Sequence, residues 1–182
     1  RYGEPDQPVR KAQEGHLALP LFRKNPVLYS LMAIVISSQI VAAVLDFKFQ
    51  SLLSFEFAGR LDDETAFQGT FWATLNTVVL ILQFVIAPLL LHFINIRLIH
   101  LMMPIIHLVA IIAAIIEPNV FTVGLAFFLF KAFDYSIFRA AKELLYVPLG
   151  FDERYRAKEV IDVFGYRMGK GGSSIAIVVL QK

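Results

Sequence analysis

Three stretches of this chain are long, apolar and free of charge. Val27 to Leu45 is 19 residues, Thr65 to Leu91 is 27 and Leu98 to Ile116 is 19, with no Asp, Glu, Lys or Arg in any of them. A helix needs about 20 apolar residues to cross the hydrocarbon core of a bilayer. Helices on the surface of a water-soluble domain keep one polar face, so runs this long and this uncharged predict spanning helices. Composition agrees. The chain is 57% hydrophobic and 18% charged with a mean hydropathy of +0.64. Soluble domains are nearer about 45–50% and about 25%.

A fourth span begins after Glu117-Pro118-Asn119, where Pro suits a helix start. It reads VFTVGLAFFLFKAFDYSIFRAAKELLYV and stops near Pro148. A fifth element, AKEVIDVFGYRMGKGGSSIAIVVLQK, starts polar and turns apolar only after Gly172. The expected fold is an all-α, polytopic transmembrane helix bundle. Its spans lie near 27–48, 67–93, 97–117 and 119–147, with a partial helix over 156–182. Residues 1–25 read as a lead-in or linker. The first residue is Arg1 and no signal peptide is visible, as in a chain cut from a longer one.

Cysteine is absent, so neither a disulfide framework nor a thiolate metal site is available. A net charge of +2 is too small to point to nucleic acid. The motif GYRMGKGGSS resembles a phosphate loop, but Gly165 to Gly169 encloses three residues rather than four and Gly171 follows Lys170. These glycines are expected to let two helices approach closely or to let one bend. No nucleophile, metal cluster or carboxylate pair converges in the sequence, so an enzyme is not expected, nor is a cofactor.

Charge bias orients the spans. Arg1, Arg10, Lys11, Arg23 and Lys24 precede the first, and Arg97 lies between the second and third. Arg154, Arg156, Lys158, Arg167 and Lys170 follow the fourth. The alternate loops are poor in basic residues: Arg60 stands against Glu56, Asp62, Asp63 and Glu64, and the other holds only Glu117. Basic segments mark the cytoplasmic side, so the lead-in, the Arg97 turn and the segment over 149–170 are expected there.

The fourth span carries Lys131, Asp134, Arg139, Lys142 and Glu143. At 100° per residue, Lys131, Asp134, Tyr135, Phe138, Arg139 and Lys142 fall within one arc of about 140°. Charges inside a span cost roughly 2.5–3.5 kcal/mol each on insertion scales and usually face a bundle interior or a watery cavity. An anion pathway with an excess of positive charge is the functional expectation. Two structural alternatives stand beside it: Arg139, Lys142 and Glu143 can snorkel at the interface, and Lys131 with Asp134 can form an internal ion pair. In the first span Gln39, Asp46 and Gln50 share a face. In the second, Gly69, Ala73, Asn76, Gln83 and Ala87 form a small and polar stripe that serves packing or substrate lining equally well. His100 and His107 flank Pro104 on the third, as packing or pore groups. The cavity-lining candidates are thus Lys131, Asp134, Arg139, Lys142, Glu143, Asp46, Asn76 and Gln83, with no metal ligands among them.

Residues Lys142 to Gly172 are similar to the signature of the nucleotide translocase family, the ATP/ADP exchangers of plastids and obligate intracellular bacteria. Lys142 and Glu143 match its Lys-Glu pair, and Tyr146, Pro148 and Leu149 its Tyr-x-Pro-Leu. Arg154, Arg156 and Lys158 match its three alternating basic residues, Asp162 the acid four beyond, and Arg167, Gly169 and Lys170 an Arg-x-Gly-Lys step. Arg139 and Ala140 depart from the Asp and Pro common in the family, Phe49 and Gln50 from a Trp-Lys, and Glu159 from a small residue. The resemblance implies a major-facilitator-like half, with these spans equivalent to helices seven to eleven.

By the same resemblance the chain is a multi-pass transporter that exchanges nucleotides or related organic anions by alternating access. Its partners are the lipid bilayer, the anionic substrate and the missing N-terminal half of the same chain. A bacterial cytoplasmic membrane is the expected location, with the lead-in inside. The alternative is a transporter-like protein without transport that anchors or assembles with other membrane subunits.

Overall fold

The computed structural model describes residues 18–151 and 153–180. Every regular element among them is helical, as the uncharged runs require. A short helix α1 (Leu19–Lys24) leads into α2 (Pro26–Glu56). Then come α3 (Leu61–Phe93), α4 (Ile96–Ile116) and α5 (Val120–Tyr146). The last helix, α6, covers residues 153–180. Helices α2 to α5 are each long and apolar enough to cross a membrane. A bilayer offers the backbone no water, so a continuous helix is the form in which each segment can satisfy its own amides.

Local chemistry sets the boundaries. Asn25 caps α2, its side chain accepting from the Val27 amide at 3.1 Å, and Pro26 occupies the first turn, where its missing N–H costs nothing. Asn95 caps α4 through the Arg97 amide at 3.0 Å. Asn119 and Thr122 form a reciprocal capping box at the start of α5. Between α2 and α3 the chain reverses through Gly59 at φ 78°, a conformation a side chain resists.

Three helices change pitch on the way. Wider π-turns occupy Leu82–Ile86 in α3, Asp134–Phe138 in α5, and Glu153–Ala157 and Ile161–Gly165 in α6. Such turns insert a residue into the helix and often accompany functional sites. Pro104 interrupts α4, removing the donor that the His100 carbonyl would otherwise receive.

Packing is organised around α2 and α5. One cluster joins Ala42, Leu45, Phe49 and Leu53 of α2 to Val123, Ala126, Phe127 and Phe130 of α5. The rings of Phe49, Phe71 and Phe127 stack within 4.8–6.1 Å of one another. A second cluster joins α1 and the start of α2 to Tyr146, Ala157 and Ile161. A third seats Ile99 and Met103 of α4 and Ala87 of α3 against Ile137 and Ala141 of α5.

The closest seam is α2 against α6, and glycine makes it possible. A Cβ on Gly169 would stand 2.6 Å from the Gln39 Cβ, and one on Gly165 would stand 3.3 Å from a Val35 methyl. The same test finds open space at Gly171 and Gly172. The Gly165-x-x-x-Gly169 step therefore serves helix approach, the small-residue packing common where lipid supplies no hydrophobic drive.

Candidate functional site

The charged residues of α5 do not share one surface. Lys142 and Glu143, adjacent near its end, both turn toward α6. The Lys142 Nζ meets the Asp162 carboxylate at 2.6 Å, and the Lys158 Nζ meets Glu143 at 2.5 Å. Lys158 and Asp162 are four apart, so they lie on one face of α6 and present a base and an acid to an acid and a base. Lys142 is the least exposed of the four, with a side chain 15% accessible. Lys158 also lies 5.7 Å from the centre of the buried Tyr146 ring. At the start of α6, Glu153 accepts from Asn25 at 3.2 Å, tying the α2 cap to the same end of the bundle.

Lys131 is half-buried and turns to its own helix rather than to Asp134. Its ammonium donates to the Tyr135 hydroxyl at 3.1 Å and lies over the Tyr135 and Phe127 rings at 5.0 and 5.7 Å. The expected alternative of a Lys131–Asp134 ion pair is not formed among the described residues. Arg139 is exposed.

Asp134 lines a cavity of about 490 Å³ between α2, α4 and α5. Phe130, Asp134 and Phe138 supply one wall, Ser37 and Ser38 a second, and His100, Met103, Pro104 and His107 a third. The His100 Nδ1 lies 2.9 Å from the Ile96 carbonyl. A carbonyl only accepts, so Nδ1 carries the proton and Nε2 of the neutral ring is an acceptor. The Nε2 atoms of both histidines are buried without a hydrogen-bond partner. His107 packs on Phe130 with ring centres 4.7 Å apart.

The remaining candidates are dispersed. Asp46 is half-buried on α2. Gln39 is buried at the α6 seam, and Gln50 accepts from Gln68 at 3.4 Å. On α3, Gly69, Ala73, Asn76 and Gln83 are exposed, whereas Ala87 at the end of that stripe is buried. Among the described residues no three acidic or histidine side chains gather as a metal site.

Two features are not given by the sequence reading. Lys158 and Asp162 enter it as matches to the family signature, whereas the structure makes them the partners of Glu143 and Lys142. Their complementary order, base-acid on one helix and base-acid four apart on the next, was the available signal. The cavity had a weaker one: His100, Pro104 and His107 lie on α4, and nothing local says that Asp134 and the two serines close around them.

A family model described as "TLC ATP/ADP transporter" matches residues 72–181, more than half of the chain. Two curated proteins, each called ADP,ATP carrier protein 1, from Chlamydia trachomatis serovar D and Chlamydia muridarum, are each 40% identical over 45 residues. The aligned stretch covers 25% of this chain and 8% of each relative. No solved structure matches.

Proposed function

The chain belongs to the TLC ATP/ADP transporter family, and from that premise we propose that it is part of an integral membrane transporter that exchanges nucleotides or closely related organic anions. The observation that carries this reading is the family match across α6 and across α5, the span that holds the intramembrane charges. A phosphate chain needs cations inside the membrane, and charge-assisted contacts from Lys and Arg are the strongest available to it. Lys131 and Arg139 lie on a side of α5 left partly or wholly open. Lys142 stands one turn beyond Arg139, held by Asp162.

In this reading the five long helices are half of a major-facilitator arrangement, equivalent to its seventh to eleventh. They rock against a first half around a midplane site, the alternating access common to such folds. The lead-in, the Arg97 turn and the segment over 149–170 face the cytoplasm of a bacterial cell. Asp46, Asn76 and Gln83 contribute neutral or acidic lining, and Glu143 keeps Lys158 in register. Lys142 exchanges its Asp162 contact for a substrate phosphate.

One observation favours a second reading. The Lys142–Glu143 pair is consumed in two ion pairs with α6, which also suits a transporter-like anchor or assembly subunit that moves nothing. Uptake of labelled ATP and ADP by the complete protein in proteoliposomes separates the two. Under the transport reading Lys142→Gln cuts uptake by roughly tenfold or more, as loss of a charge-assisted phosphate contact would. Arg139→Ala cuts it less, and both variants stay folded. Absence of uptake for every nucleotide, by wild-type protein shown to be folded and inserted, establishes the anchor reading instead.

A further inference from the structure

The cavity between α2, α4 and α5 holds two buried polar atoms without partners, the Nε2 atoms of His100 and His107. It is also bordered by the two breaks in the helices that enclose it, Pro104 of α4 and the π-turn Asp134–Phe138 of α5. Its walls are apolar over most of their area, with Met103, Phe130 and Phe138 prominent. Its volume of about 490 Å³ falls in the range of pockets for small organic ligands, roughly 300–1,000 Å³.

Several polar groups of the lining offer lone pairs, beside the Ser37 hydroxyl, which can donate or accept. His100 Nε2 is an acceptor, because Nδ1 donates to Ile96. The His100 carbonyl lacks its helical donor because Pro104 has no N–H. Ser38 has spent its proton on the Val35 carbonyl at 2.9 Å and keeps only lone pairs. Asp134 has no hydrogen bond or ion pair with any described side chain. A buried acceptor without a donor is costly, so the His100 Nε2 points to a donor that is not part of these helices. Charge narrows the choice of donor. Lys131, Arg139 and Lys142 lie within eight residues of Asp134 on the same helix. A further cation would add to an excess of positive charge, whereas a neutral hydroxyl would not.

We propose that this cavity binds a neutral amphipathic alcohol from the lipid phase, its hydroxyl donating to the acceptors of His100 and Asp134 and its hydrocarbon body lying against Met103, Phe130 and Phe138. This site is separate from the Lys131 and Arg139 side of α5 and does not depend on nucleotide transport. A long-chain alcohol carrying a photoreactive diazirine, and a hydrocarbon of the same length and diazirine position without the hydroxyl, are the two probes. The complete protein in proteoliposomes is labelled with each, and the labelled peptides are mapped by mass spectrometry.

The alcohol is expected to label residues 100–111 and 130–138 saturably, and unlabelled long-chain alcohol to compete. His100→Phe keeps an aromatic ring of similar size and removes the acceptor. It is expected to weaken half-saturation by roughly fivefold to tenfold, the worth of about one hydrogen bond. Ser38→Ala removes a smaller group and gives the milder form of the same loss. The thermal unfolding midpoint of each variant serves as the folding control. Equal labelling by both probes overturns the proposal, as does labelling that follows the outer faces of α3 and α4 without saturation. Labelling that His100→Phe and Ser38→Ala leave unchanged in folded protein also overturns it, and leaves the cavity to water or lipid chains.

Discussion

Helices α3 and α5 invert the rule that holds in water. The most apolar window of α3 has a mean hydropathy of 2.2, yet only 11% of it is buried within the protein; α5 scores 1.5 and is 44% buried. In a soluble protein the more apolar helix would be the central one. In a bilayer, lipid is as good a partner for Leu and Phe as another helix, so apolarity does not select the centre. What selects it is whatever lipid cannot match: closely fitted rings, small residues that admit a neighbouring backbone, and charges that need partners. Helix α5 has Phe127 in an aromatic cluster, Gly124 against Phe49, and four ionic side chains between Lys131 and Lys142, with Glu143 beyond. Helix α3 has its charges only in the first turn, at Asp62, Asp63 and Glu64.

The sharpest break of this contrast is a pair of identical truncations. Phe127→Ala in α5 removes a fully buried ring and is expected to cost about 3–5 kcal/mol, the usual range for such a cavity. Phe84→Ala in α3, where the ring is 71% exposed, should stay within about 0.5 kcal/mol. Unfolding of both variants in the same bilayer-like medium measures the difference; equal costs would show that burial within the protein is not what stabilises α5.

A smaller effect tests the ionic contribution. Asp162→Lys puts a second ammonium opposite Lys142 and should destabilise by roughly 1–2 kcal/mol, with Lys142→Asp in the double variant restoring part of it. If the double variant is no better than the sum of its parts, the contact adds nothing to stability. The smallest effect is expected on the exposed stripe of α3. Asn76→Ala and Gln83→Ala should leave stability within about 0.5 kcal/mol. Any loss of nucleotide uptake in these two variants then reports on substrate lining and not on folding. A large loss of stability would mean that this face is covered in the complete protein.

The candidate site was legible only in outline. The charged arc of α5 could be drawn from helical spacing, because spacing along one helix is local. Its division was not visible there. Lys131 turns to Tyr135, Asp134 lines a cavity walled by two other helices, and Lys142 and Glu143 cross to α6. Each choice depends on which helix stands beside the residue, and the π-turn at Asp134–Phe138 further shifts the register beyond it.

The sequence by itself determined that the chain is a set of membrane-spanning helices and that one of those spans carries a run of charges. Those properties follow from run length and the absence of charge elsewhere, which a bilayer reads segment by segment. Tertiary structure alone decided which helix is central, that Gly165 and Gly169 rather than Gly171 and Gly172 meet α2, and that His100, Ser38 and Asp134 enclose a common space. Between helices in lipid the discriminating energies come from fit and from paired polar groups, and these exist only once two surfaces are brought together.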